Sequence, residues 1–145
     1  VCSSIFVMKP RKFKFEKNHY HYHYHYHELK HFIDGFAELE FDWNGNNAEP
    51  FDNVVINNAR EFLELVKDYA EIISVFPTAI KAIQFEYEYK GVYCEIEVHE
   101  NHFELYSRLI GSSGVERSFH DKSSIQEAAE AFLKILMDEE NEDYN

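Results

Sequence analysis

Residues 83–106 read IQFEYEYKGVYCEIEVHENHFELY, and their strict alternation decides the fold. Ile83, Phe85, Tyr87 and Tyr89 alternate with Gln84, Glu86 and Glu88, the period of a strand with one dry face. Lys90-Gly91 reads as a two-residue turn, after which Val92, Cys94, Ile96 and Val98 return to the same face. A second turn at Glu100-Asn101 brings Phe103, Leu105 and Leu109 there as well. This register sets Glu86 opposite Glu95 and Glu97 opposite Glu104 on the outer face, because a slip of one residue would turn every apolar side chain to water. His99 and His102 flank the second turn on that outer face, with Glu88, Tyr106 and Arg108 toward its edges. The GSSG at 111–114 predicts a looser connection to a fourth strand at 115–119.

Working outward, the period changes to that of helices. Val55, Ala59, Phe62, Leu63, Val66 and Ala70 form an apolar stripe, with Asp52 or Asn53 as cap and an end before Pro77. Ser124, Ile125, Gln126 and Glu127 make a capping box for a last helix with Ile125, Ala128, Ala129, Phe132, Leu133 and Leu136 inward. Leu29, Phe32, Ile33, Phe36 and Leu39 predict a helix over 28–40, weakened by Gly35. DWNGNNAEP (42–50) is a loop. The RKFKFE at 11–16 alternates like a strand, with an interruption at Lys17-Asn18. The expected fold class is therefore α+β: an antiparallel β-meander of about four to six strands packed against two or three helices. The expected organisation is a loose N-terminus over 1–10, a single domain over 11–137 and an acidic tail over 138–145.

Six Lys/Arg against two Glu leave residues 1–31 with a net charge of +4, so −17 of the chain's −13 total falls on the other 114 residues. Such a body repels nucleic acid and anionic membranes and attracts basic partners. No apolar run approaches the ~20 residues that cross a bilayer. The apolar residues of the N-terminus precede its basic ones, the reverse of a signal peptide. Together with two cysteines, Cys2 and Cys94, that make no framework, this points to a reduced, cytoplasmic setting. The natural start is open between Val1 and Met8.

Residues 19–27, HYHYHYHYH, read as a strand, with a turn or bulge before it so that tyrosines pack and histidines face out. Three readings stay open. His19, His21, His23, His25 and His27 could pair two imidazoles on a zinc or nickel ion, since alternate strand residues share a face. They could charge together on mild acidification. Or the tract is a dipeptide expansion that packs its tyrosines and leaves its histidines wet. An aromatic N-terminal edge strand would also allow a homodimer.

The outer face of the meander carries the main functional expectation. Like charges directly opposite one another destabilise a sheet by a few tenths of a kcal/mol per pair at the low end of the cross-strand range. Two such pairs on one face suggest a docking surface for a basic protein made by Glu86, Glu88, Glu95, Glu97 and Glu104. A divalent cation held by His99, His102 and nearby carboxylates is an alternative, and a solvated face is the plain one. No phosphate-binding glycine loop, nucleophile elbow or zinc-finger spacing is present. An open sheet face does not separate two carboxyl pKa values as acid–base catalysis requires. The expectation is accordingly a protein without enzymatic activity and without an obligatory cofactor. A small metal-dependent hydrolase using His99, His102 and Glu97 stands as a further alternative.

Trp43, Asn44, Gly45, Ala48 and Pro50, followed by a helix, Pro77 and the glutamate-rich hairpin, resemble a scattered group of small bacterial proteins carrying W-[DN]-G-x-x-A-x-P before a helix. The resemblance covers roughly residues 36–110. It implies an accessory or neutralising role in mobile-element, toxin–antitoxin or phage-defence settings: an antitoxin, immunity protein or inhibitor with a basic toxin, nuclease or effector as partner. The His-Tyr tract and the acidic tail have no counterpart in that group. Trp43 is expected either to lock its loop or to join the partner surface.

Overall fold

The computed structural model describes residues 19–143. The 11–16 segment, Cys2 and a dimer through the N-terminal strand lie outside the described residues. Helix α1 spans His19–Phe36 and α2 spans Asn53–Val66, continued by a 3-10 segment over Lys67–Ile72. Five strands follow: β1 (Ser74–Pro77), β2 (Ile83–Tyr89), β3 (Val92–Val98), β4 (Phe103–Gly111) and β5 (Gly114–Lys122), and then helix α3 (Ile125–Asp143). The strands form one antiparallel sheet in sequence order, β1 to β5. The helices pack on one face of it, which makes the fold α+β. No helix among the described residues is long and apolar enough to cross a membrane.

The core is the dry face of the meander meeting the helical stripes. Phe62 of α2 lies against Phe85 of β2 and Phe132 of α3, with ring centroids 4.7 and 5.4 Å away. Tyr87 stands edge-on to Phe132 and donates its hydroxyl to the Phe132 carbonyl at 2.7 Å. That bond satisfies the one polar atom of an otherwise apolar side chain in the core. Cys94 is buried on the same face, and burial pushes its thiol up to about 12.

Four expectations are corrected. Residues 19–27 are the start of α1 and not a strand. The stripe Leu29, Ile33 and Phe36 is fully buried and continues back to His25, 2% exposed. Extending a nucleated helix costs far less than starting one, so the downstream stripe carries the His-Tyr residues with it. The helix also ends at Phe36, where turn bonds from Glu38 N–H to Gly35 and from Leu39 N–H to Phe36 close it. Second, residues 138–143 continue α3, since the Glu-rich run is compatible with a helix. Third, GSSG is a tight two-residue turn, with Gly111 paired to Gly114, and β5 runs on to Lys122. Fourth, β1 precedes the meander as an additional strand. It has only four residues, and its terminal Pro77 is tolerated at a sheet edge.

The expected registers of the meander and the capping box of α3 are found. The β2–β3 and β3–β4 registers pair Glu86 with Glu95 and Glu97 with Glu104. Ser124 Oγ accepts the Glu127 N–H at 3.4 Å, as a capping box requires. Asp52 sits at the start of α2, but its carboxylate reaches Lys81 at 3.3 Å and makes no cap bond.

Candidate functional site: the acidic outer face of the sheet

The pleat puts Gln84, Glu86 and Glu88 of β2, Tyr93, Glu95 and Glu97 of β3, and Glu104, Tyr106 and Arg108 of β4 on the face away from the helices. Each facing carboxylate pair has its own local donors. Tyr93 Oη lies 2.8 Å from Glu86 Oε2 and 3.0 Å from Glu95 Oε2 and donates between them. The Gln84 amide donates to both carboxylates as well. Burial, then the charge of Glu86, hold the Glu95 carboxyl above its ordinary range, against the pull of the Tyr93 bond. Burial and the two carboxylates likewise raise the Tyr93 phenol.

Across the Glu97–Glu104 pair the arrangement is asymmetric. Burial raises Glu97, and its hydrogen bond with Glu104 adds to this. Glu104 is lowered, first by that same bond and then by the neighbouring His99 and His102. The pair thus favours a proton on Glu97 over one on Glu104. His99 Nε2 lies 3.3 Å from Glu97 Oε2 and 3.0 Å from Glu104 Oε2. The His99 and His102 rings stack at 4.2 Å, 11° from parallel. Their turn is tied to α2 by the Asn58 amide, which donates to the carbonyls of His99 and Glu100 at 2.9 and 3.0 Å. One ligand atom each of His99, His102 and Glu104 fall within 4.8 Å of one another, a donor set suited to a divalent metal.

Beside the carboxylates runs an aromatic stripe. Tyr93 and Tyr106 are 6.0 Å apart and Tyr106 and Phe119 4.8 Å apart, on three successive strands. The Arg108 guanidinium lies over the Tyr93 ring at 5.3 Å. A groove of about 260 Å³ opens between stripe and acids, lined by Glu95, Glu97, Glu104, Tyr106, Phe119 and Asp121. Reading the meander alone missed the roles of Gln84, Tyr93, Phe119 and Asp121. The full length of β5, with its tight turn, is what brings the last two to this face.

The other expected site residues are elsewhere. Trp43 Nε1 donates to the Glu49 carbonyl at 3.0 Å and the ring lies 5.9 Å from Phe51, which stacks toward Phe36 of α1. Trp43 therefore locks its loop in the helical layer and does not join the acidic face. Residues 19–27 being helical, the strand geometry expected to pair histidines two apart does not apply. His25 is buried, with Nε2 3.3 Å from the Ile73 carbonyl and Nδ1 3.2 Å from Glu28, whereas His27 is exposed. The expected pattern of tyrosines in and histidines out is thus reversed at His25. Tyr26, half-buried, donates its hydroxyl to Glu64.

No protein-family model, no curated protein and no solved structure matches this chain.

Proposed function

We propose that this chain is a non-enzymatic interaction protein, in the manner of an antitoxin, immunity protein or inhibitor, whose acidic sheet face seats a basic segment of a protein partner. The observation that carries the reading is the groove in which Glu95, Glu97, Glu104 and Asp121 stand beside the Tyr106 and Phe119 rings. Carboxylates give a lysine or arginine its counter-charge, and an aromatic face adds a cation–π contact. Arg108 over Tyr93 is the chain's own instance of such a contact on the same face. The −17 carried by residues 32–145 favours fast encounter with a basic surface.

A titration of isotope-labelled protein with an arginine-rich peptide, followed by amide chemical shifts, tests this. The largest shifts are expected at Tyr93, Glu95, Glu104 and Tyr106. Binding should weaken at least about tenfold in Glu95→Gln/Glu104→Gln but change little in Glu127→Gln/Glu130→Gln, which removes the same charge from α3. Equal losses in the two variants, or shifts centred on the helices, would overturn the reading.

A second reading rests on the stacked imidazoles: His99, His102 and Glu104 hold a divalent cation at the β3–β4 turn. Addition of zinc to metal-free protein should then raise its melting temperature, and His99→Ala/His102→Ala should abolish the effect. An unchanged response in that variant would assign any zinc binding to other residues.

A further inference from the structure

Among the described residues, strand β5 is an open edge of the sheet. At the opposite edge, β1 is buried against α1, but no residue of β5 is buried. An edge strand turns the N–H and C=O of every second residue to solvent, and proteins commonly protect such edges with charge. Here the charges follow an order that invites pairing. Residues 116–122 read ERSFHDK, and this string opposes its own reverse about Phe119. Laid antiparallel on a second copy with Phe119 facing Phe119, it sets Arg117 across from the partner's Asp121, Glu116 across from the partner's Lys122 and Ser118 across from the partner's His120.

Within one chain the same residues are poorly matched. The β4–β5 register puts Arg117 opposite Arg108 and Asp121 opposite Glu104, two like-charge pairs that weaken a hairpin. None of Glu116, Arg117, Asp121 and Lys122 has an ion-pair partner among the described residues. Phe119 is 75% exposed, and Val115 and Ile110, paired at the turn end of the hairpin, are 47% and 57% exposed.

We infer that this chain forms a two-fold symmetric homodimer by antiparallel pairing of β5 with the β5 of a second copy, centred on Phe119, joining two five-stranded sheets into one. An isologous contact needs a self-complementary surface, and the ERSFHDK order supplies it. On the outer face the charges would then run Glu104, Asp121, the partner's Arg117, the partner's Arg108, so both like-charge pairs gain a neighbour of opposite sign. The Tyr93–Tyr106–Phe119 stripe would continue through the partner's Phe119 across the dyad. The inference does not depend on a basic partner, although Phe119 and Asp121 also line the acidic groove.

Sedimentation equilibrium of the full chain over a range of concentrations tests it. A monomer–dimer equilibrium is expected. Arg117→Asp and Asp121→Arg should each weaken it at least about tenfold, because each places like charges together at two symmetric points. The double variant Arg117→Asp/Asp121→Arg should restore it. Recovery in the double variant also shows that the single variants did not fail merely by misfolding. A chain that stays monomeric at every concentration would overturn the inference. So would a dimer indifferent to both single variants, or one weakened by them and not restored by the exchange.

Discussion

The Tyr87 hydroxyl, on the central dry face of the sheet, donates to the Phe132 carbonyl of α3 at 2.7 Å. It is a polar tie between sheet and last helix inside an apolar core. Its burial raises the phenol far above its ordinary range, so it stays a donor at any ordinary pH. Tyr87→Phe keeps the ring and its edge-on contact and removes only the bond. It should cost about 1 kcal/mol, read as a lower urea midpoint with an unchanged slope.

His25 and His27 are equivalent in the dipeptide repeat and inequivalent in α1. His25 is buried against the Ile73 carbonyl, and His27 faces water. His25→Ala should cost about 2–3 kcal/mol, from lost packing and an unpaired carbonyl, whereas His27→Ala should stay within about 0.5 kcal/mol. Chemical denaturation of both variants checks this. Equal effects would point back to a strand.

The Glu97–Glu104 pair predicts a pH-dependent substitution. A carboxyl raised in the folded state holds its proton more tightly there than in the unfolded chain. Its penalty therefore grows as pH climbs from the ordinary value of 4.5 through the raised one, and is absent below 4.5. Glu97→Gln keeps a donor toward Glu104 and removes the titration. The variant should gain a few tenths to about 1 kcal/mol at pH 7, after allowance for solvent screening, and nothing at pH 4 and below. The lowered Glu104 acts with the opposite sign: it stabilises above 4.5, and that contribution is lost as pH falls through its lowered value. Melting temperatures of the variant and parent at pH 4 and pH 7 test the difference.

Cys94, buried and with its thiol pushed up to about 12, should be inert to thiol reagents in the native state. In a Cys2→Ser background, modification of the native protein should proceed only as fast as the core opens, and denaturant should make it immediate. Fast modification under native conditions would show that β3 is not held as described.

Much of the candidate site is legible in the sequence. Glu86 faces Glu95 and Glu97 faces Glu104 because Lys90-Gly91 and the Glu100-Asn101 turn are short and the apolar period is strictly two. What could not be read was how those pairs are tolerated. The Tyr93 hydroxyl and the Gln84 amide reach the Glu86–Glu95 pair from neighbouring positions on the same face, and the opposite shifts of Glu97 and Glu104 depend on burial and on His99. Trp43 shows the same limit: a lone tryptophan in a polar loop suits a binding hot spot as well as a loop lock, and only its contact with Phe51 separates them.

By itself the sequence determined the meander, its inner and outer faces and the stripes of α2 and α3, because strand alternation, turn length and helical period are local properties. It also determined the self-opposing order of residues 116–122. Tertiary structure decided the rest. The alternation of residues 19–27 is compatible with a strand, but the buried stripe beginning at Leu29 draws the segment into α1, since a helix already begun extends at little cost. The alignment of Tyr93, Tyr106 and Phe119, and the exposure of β5 as a free edge, likewise depend on which strands lie side by side and which face the helices cover.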